Sequence, residues 1–126
     1  MSRKLSAAEV EACARAAHET NRAFNSLMGD TSYKSWEQSP EWVRVSARTS
    51  IIGIAEHDMS PQQLHASWVS EKRAQGWVIG PDKDFDKKTH PCLIPYDELP
   101  EEHRIKDEMW IGTVKLMLGA IWRIPQ

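Results

Sequence analysis

The chain has 126 residues, of which 40% are hydrophobic and 27% charged, and a formal net charge of −2. These values fit one soluble globular domain with a modest core. They give no basis for a general nucleic-acid or membrane-surface binder, and no apolar run approaches the length of a membrane span.

Two cysteines, Cys13 and Cys92, are too few for a disulfide framework. The opening MSRKLSAAEV has no apolar stretch of the signal-peptide kind. A reduced, cytoplasmic setting is therefore the expectation. Six tryptophans is a high number for this length. Each calls for burial, an interface or a ligand.

Ser6-Ala7-Ala8-Glu9 reads as a capping box, which predicts a helix over about 6–28. Val10, Ala14, Ala17, Phe24 and Met28 mark its apolar face, and Gly29-Asp30 its end. His18, Arg22 and Asn25 share another face of the same helix, either as a solvated side or as one polar wall of a pocket. Residues 30–38 read as a loop anchored by Trp36. Ser39 as N-cap and Pro40 at the first helical position predict a helix over about 40–57. Trp42, Val45, Ser46, Thr49, Ile52 and Gly53 form its expected stripe, widened by Ile51, Ile54 and Ala55.

Ser60-Pro61-Gln62-Gln63 starts a third helix, to about residue 75, with Gly76 as its stop. His65, Trp68 and Lys72 lie on one face of it. Trp77-Val78-Ile79 is strand-like, Gly80-Pro81-Asp82 is a turn signal, and 83–89 alternates in charge. Pro91 and Pro95 keep 90–95 extended and confine it to an edge or irregular strand, so a small hairpin with a long tip is expected. Pro100-Glu101-Glu102 opens the last helix, to about residue 121. Its expected stripes are Ile105, Met109, Gly112, Leu116 and Ala120, and beside them Trp110, Val114, Met117 and Ile121. Trp122 to Gln126 reads as a tail docked through Trp122. No domain boundary or low-complexity segment is visible, so 1–126 is taken as one domain.

The stretch 65–100 is where the chemistry collects. It sets Trp68, Trp77 and Tyr96 near Lys72, Lys83, Lys87, Lys88 and His90. Aromatic planes beside cations suit a ligand with a flat ring and a negative tail. A small core with a solvated rim has the same composition. Metal binding is not expected, because His90-x-Cys92 has no second pair at zinc spacing. Catalysis is not expected either. No nucleophile–base arrangement is specified locally, Cys92 is remote from any helix N-terminus, and the phosphate-binding glycine patterns are absent.

The ordered pattern His65-x2-Trp68-x3-Lys72-x3-Gly76-Trp77-x2-Gly80, then Lys88-x-His90-Pro91-Cys92-Leu93-Ile94-Pro95-Tyr96-x2-Leu99-Pro100, resembles the ryanodine receptor repeat, the RyR domain. It covers about residues 60–120. His18-Glu19-x-Asn21-Arg22, Trp36 and Pro40-Glu41-Trp42 resemble the N-terminal half of the stand-alone bacterial and phage members. The resemblance implies a compact α-rich domain with a small β element; with the four cap signals and the proline-rich segment, the expected fold is mainly α, of α+β type, with four helices and a small two-stranded β element. The resemblance implies no catalysis and no cofactor, and a role in sensing nucleotides or nucleotide-derived signals. In the giant channels the repeats come in pairs, so in this single copy a site shared between two repeats would need a homodimer or would be missing.

The resulting expectation is a cytoplasmic, non-enzymatic domain that binds a small anionic, nucleotide-like ligand. Trp68, Lys72, His65, His90, Cys92 and Lys88 are its site residues, with His18, Arg22 and Asn25 as an opposite wall. The alternative is a protein-interaction or scaffold module whose tryptophans only hold the fold.

Overall fold

The computed structural model describes residues 3–124. Its helices are α1 (Ala7–Leu27), α2 (Glu41–His57), α3 (Pro61–Ala74) and α4 (Glu101–Arg123). Strands β1 (Val78–Ile79) and β2 (Thr89–His90) and a 3-10 turn at Tyr96–Glu98 lie between α3 and α4. This is the mainly α architecture with a small two-stranded element that the sequence predicts. The chain divides into two compact units, residues 1–59 with 108–126 and residues 60–107.

In the first unit, α1 starts at a complete capping box. The Ser6 hydroxyl accepts from the Glu9 amide, and the Glu9 carboxylate accepts from the Ser6 amide. Val10, Cys13, Ala14 and Ala17 are buried along this helix, whereas Met28 is exposed. The 30–38 segment is held by Trp36, which is buried and donates from Nε1 to Glu11 at 2.8 Å. The start of α2 differs from the sequence reading. Pro40 occupies the N-cap position without a side-chain cap, and the Ser39 hydroxyl donates instead to the Ser35 carbonyl at 2.8 Å. The buried face of α2 is Ala47, Ile51 and Ile54, not the Trp42–Val45–Ile52 stripe, which is exposed. Both faces are apolar, and packing against α1 decides between them. In the later part of α4 the buried residues are Ile111, Val114, Leu118 and Ile121, and Leu116 faces solvent. Trp110 Nε1 donates to Ser50 Oγ at 2.9 Å, and Trp122 Nε1 to the Arg3 carbonyl at 3.1 Å. Trp122 is thus anchored as expected, within α4 rather than in a tail; Pro125 and Gln126 lie outside the described residues.

In the second unit, α3 repeats the capping box with Ser60 and Gln63 and has Pro61 at its first position. It stops at Gly76, whose φ of +90° is cheap only for glycine. The amide of Trp77 then bonds back to the Lys72 carbonyl at 3.0 Å. Trp77, Cys92, Leu93 and Leu99 are buried, while Tyr96 is half-buried.

The β element is not a hairpin. β1 and β2 run parallel, with Val78 opposite Thr89 and Ile79 opposite His90. The chain reverses twice to allow this. Gly80-Pro81 makes one turn. The Asp84 carboxylate makes the other by accepting the amides of Asp86 and Lys87 at 2.9 and 3.0 Å. Asp84 and Thr89 then pair as an antiparallel bridge, so the hairpin-like pairing is confined to the tip.

Two substitutions test this packing. Trp77→Ala is expected to destabilise by about 3–5 kcal/mol in chemical denaturation, as large aromatic truncations in cores do. A loss below about 1 kcal/mol places Trp77 outside the cooperative core. Gly80→Ala is expected to cost about 1–3 kcal/mol, because the new Cβ meets the Thr89 Cβ at 2.7 Å. Pairing Gly80→Ala with Thr89→Ser, which keeps the Cβ but removes the methyl group at 3.0 Å, should recover part of that loss.

Candidate functional site

The aromatic and cationic residues of the second unit gather on the face of α3 that carries the buried His65 and on the segment from β1 to the 3-10 turn. Trp68 is half-buried. The His65 ring stacks beside it, with centroids 5.6 Å apart and planes 28° apart. His90 meets Trp68 edge-on at 4.9 Å and 77°. Two imidazoles from different elements thus bracket one indole and set its orientation.

His65 is the buried member of the group. Its Nε2 donates to the Ile94 carbonyl at 2.7 Å, which fixes α3 against the proline-flanked segment. Its Nδ1 lies 3.8 Å from the Asp107 carboxylate, and its ring meets Tyr96 edge-on at 6.1 Å. His90 has the same Nε2–H tautomer as His65 but turns its other ring nitrogen to the backbone. Its Nδ1 accepts the Cys92 amide at 3.0 Å, so the neutral ring carries its proton on Nε2.

Burial holds the His90 pKa down at about 4, and the positive charges of Lys83, His103, Lys72 and His65 add to the effect. A second proton must also displace the Cys92 amide from Nδ1. Cys92 itself is buried, and burial pushes its thiol pKa up. It therefore serves as a packing residue and a backbone donor rather than as a reactive thiolate.

Lys72 is half-buried, with its ammonium over Trp77 at 5.3 Å from the ring centroid. Lys83 sits likewise over Phe85 at 5.3 Å. Lys88, at φ +53°, donates to the Gln75 carbonyl at 2.9 Å and is otherwise exposed. The sequence reading paired Lys72 with Trp68 along the helix face. It did not find the Lys72–Trp77 contact, because a separation of five residues is not a helical-face spacing. The reversal at Gly76 creates that contact.

His18, Arg22 and Asn25 belong to the first unit and have partners there. His18 Nε2 donates to the Lys34 carbonyl at 2.8 Å, Arg22 pairs with Glu19 at 2.8 Å, and the buried Asn25 donates to the Asn21 carbonyl at 2.7 Å. The site described here is built from residues 60–107 alone. Among the described residues no group of three or more His, Cys, Asp or Glu is placed to hold a metal ion, and no helix is long and apolar enough to cross a membrane.

The depressed His90 pKa carries a sign. The neutral ring is favoured in the folded state, so its contribution is complete above the ordinary value of 6.5 and is lost as pH falls toward about 4. His103, also held down by burial, acts in the same direction. Wild-type stability should therefore drop across this window by more than that of His90→Gln, whose uncharged amide accepts the Cys92 amide without titrating. Parallel curves from denaturant melts at several pH values exclude the assignment.

The RyR domain family model matches residues 54–126, from the end of α2 through α3, the strand pair and α4. The match covers more than half of the chain and contains every residue of the Trp68 site. On this match the chain belongs to the RyR domain family.

Proposed function

We propose that this RyR domain is a non-catalytic binding module of the cytoplasm that recognises a small anionic ligand with a planar ring, of the nucleotide type. The observation that carries the reading is the half-exposed Trp68 ring, held between two imidazoles in the positive field of Lys72 and Lys83. A stacked base on such a ring gains about 1–3 kcal/mol. The field that disfavours a proton on His90 favours a phosphate, by the same electrostatics. Lys72 is already positioned by its contact with Trp77, so its ordering on binding costs little. Cys13 and Cys92 are both free thiols, in keeping with a reducing compartment.

A second reading, a protein-interaction module, draws on Val78, Ile79 and Phe85, which are 57%, 59% and 54% exposed in the same unit. A homodimer belongs with this surface or with a site completed by a second copy.

Calorimetric titration with adenine nucleotides, cyclic nucleotides and adenosine separates the readings. Nucleotides should bind more tightly than adenosine, and the difference should shrink with added salt. Trp68→Ala should weaken binding by about 1–3 kcal/mol. Lys72→Ala should remove most of the salt dependence while the melt stays cooperative. Absence of any nucleotide binding at millimolar concentration overturns the ligand reading. Concentration-dependent self-association that is abolished by Ile79→Lys would instead support the interaction reading.

A further inference from the structure

A cavity in the first unit is lined by none of the residues of the Trp68 site and lies almost entirely outside the matched segment. It is a groove of about 780 Å³ between the segment leading into α1 and the outer side of α2. That volume is in the range of small-molecule sites, about 300–1,000 Å³. Leu5, Val10, Ile52 and Ala55 supply its apolar surface.

The charges around the groove are unequal in their commitments. Glu11 is engaged on both oxygens, accepting Trp36 Nε1 at 2.8 Å on one and Arg48 Nε at 2.7 Å on the other. Arg3 is forked onto Glu9 at 2.8 and 2.7 Å. Arg48 spends Nε on Glu11 and Nη1 on Glu41. Among the described residues its Nη2 has no hydrogen-bond partner, and neither has the Lys4 ammonium. Glu56, the other lining carboxylate, is largely exposed, with His57 Nε2 at 3.9 Å. An apolar trough with two uncommitted cationic donors matches an amphiphilic anion.

We propose that this groove binds a medium-chain aliphatic carboxylate. Its chain lies against Leu5, Val10, Ile52 and Ala55, and its headgroup takes Lys4 and the free Nη2 of Arg48. The fixed Arg48 side chain, held by two carboxylates and lying over Trp36 at 5.7 Å, offers that donor with little loss of side-chain entropy. The proposal is independent of the nucleotide reading.

The test is an amide-resolved NMR titration of the full chain with octanoate and, in parallel, with 1-octanol. Saturable shifts confined to residues around 4–11 and 48–56 are expected with octanoate, and weaker binding with octanol. Lys4→Ala should weaken octanoate binding by about two- to fivefold without moving the octanol value. Ile52→Trp, at a position 45% exposed, should fill the groove and abolish both while leaving the melting transition cooperative. Equal affinity for octanol and octanoate overturns the anion assignment. Shifts spread over the whole chain, or none at millimolar octanoate, overturn the site. Should Ile52→Trp fail to fold, the shift map and the Lys4→Ala comparison decide the matter.

Discussion

The hydrogen bond from the buried His65 ring, Nε2 to the Ile94 carbonyl at 2.7 Å, is the contact on which the second unit depends. The segment 91–95 has proline at both ends and pairs with no strand, so its carbonyls have few backbone partners. A buried carbonyl left unsatisfied costs about 1–3 kcal/mol, so the imidazole is a requirement of this backbone path. Once His65 is committed to Ile94, its ring plane is set. Trp68 then has a fixed surface on one side, and Tyr96 closes against the other ring edge. A histidine that the sequence offers as a ligand contact is thereby the brace that orients the indole.

His90 plays the complementary part. It also uses a ring nitrogen on the backbone, but as acceptor, and it keeps its Nε2 proton for the Trp68 side or for a ligand. The two histidines therefore share the Nε2–H tautomer and differ in which ring nitrogen meets the backbone. The lysines act through their charge. Lys72 and Lys83 each rest over an aromatic ring, and their positive charge adds to what disfavours a proton on His90.

Much of this was legible in the sequence, and the exceptions have physical causes. The caps Ser6 with Glu9 and Ser60 with Gln63, and the stop at Gly76, are short-range signals and located the helices. The buried side of α2 was not legible. Trp42, Val45 and Ile52 are as apolar as Ala47, Ile51 and Ile54, and periodicity alone cannot choose between two apolar faces. The strand direction was missed because two successive turns, at Gly80-Pro81 and at Asp84, were read as one. At the site, the shared face of His65, Trp68 and Lys72 was readable from helical spacing. The tautomers, the burial of Cys92 and the seat of Lys72 over Trp77 depend on segments distant along the chain or on the reversal at Gly76.

The parallel pairing of β1 and β2 bears on how this domain can diversify. In a hairpin, the length of the turn dictates which residues face each other, and one inserted residue flips every side chain beyond it. A parallel pair is joined by a crossover, whose length is decoupled from the register of Val78 with Thr89 and Ile79 with His90. The entropic penalty of lengthening such a connection rises only logarithmically. The exposed stretch between Gly80 and Asp84 can therefore gain or lose residues in relatives, and with them recognition elements, while Trp77 and His90 keep their places.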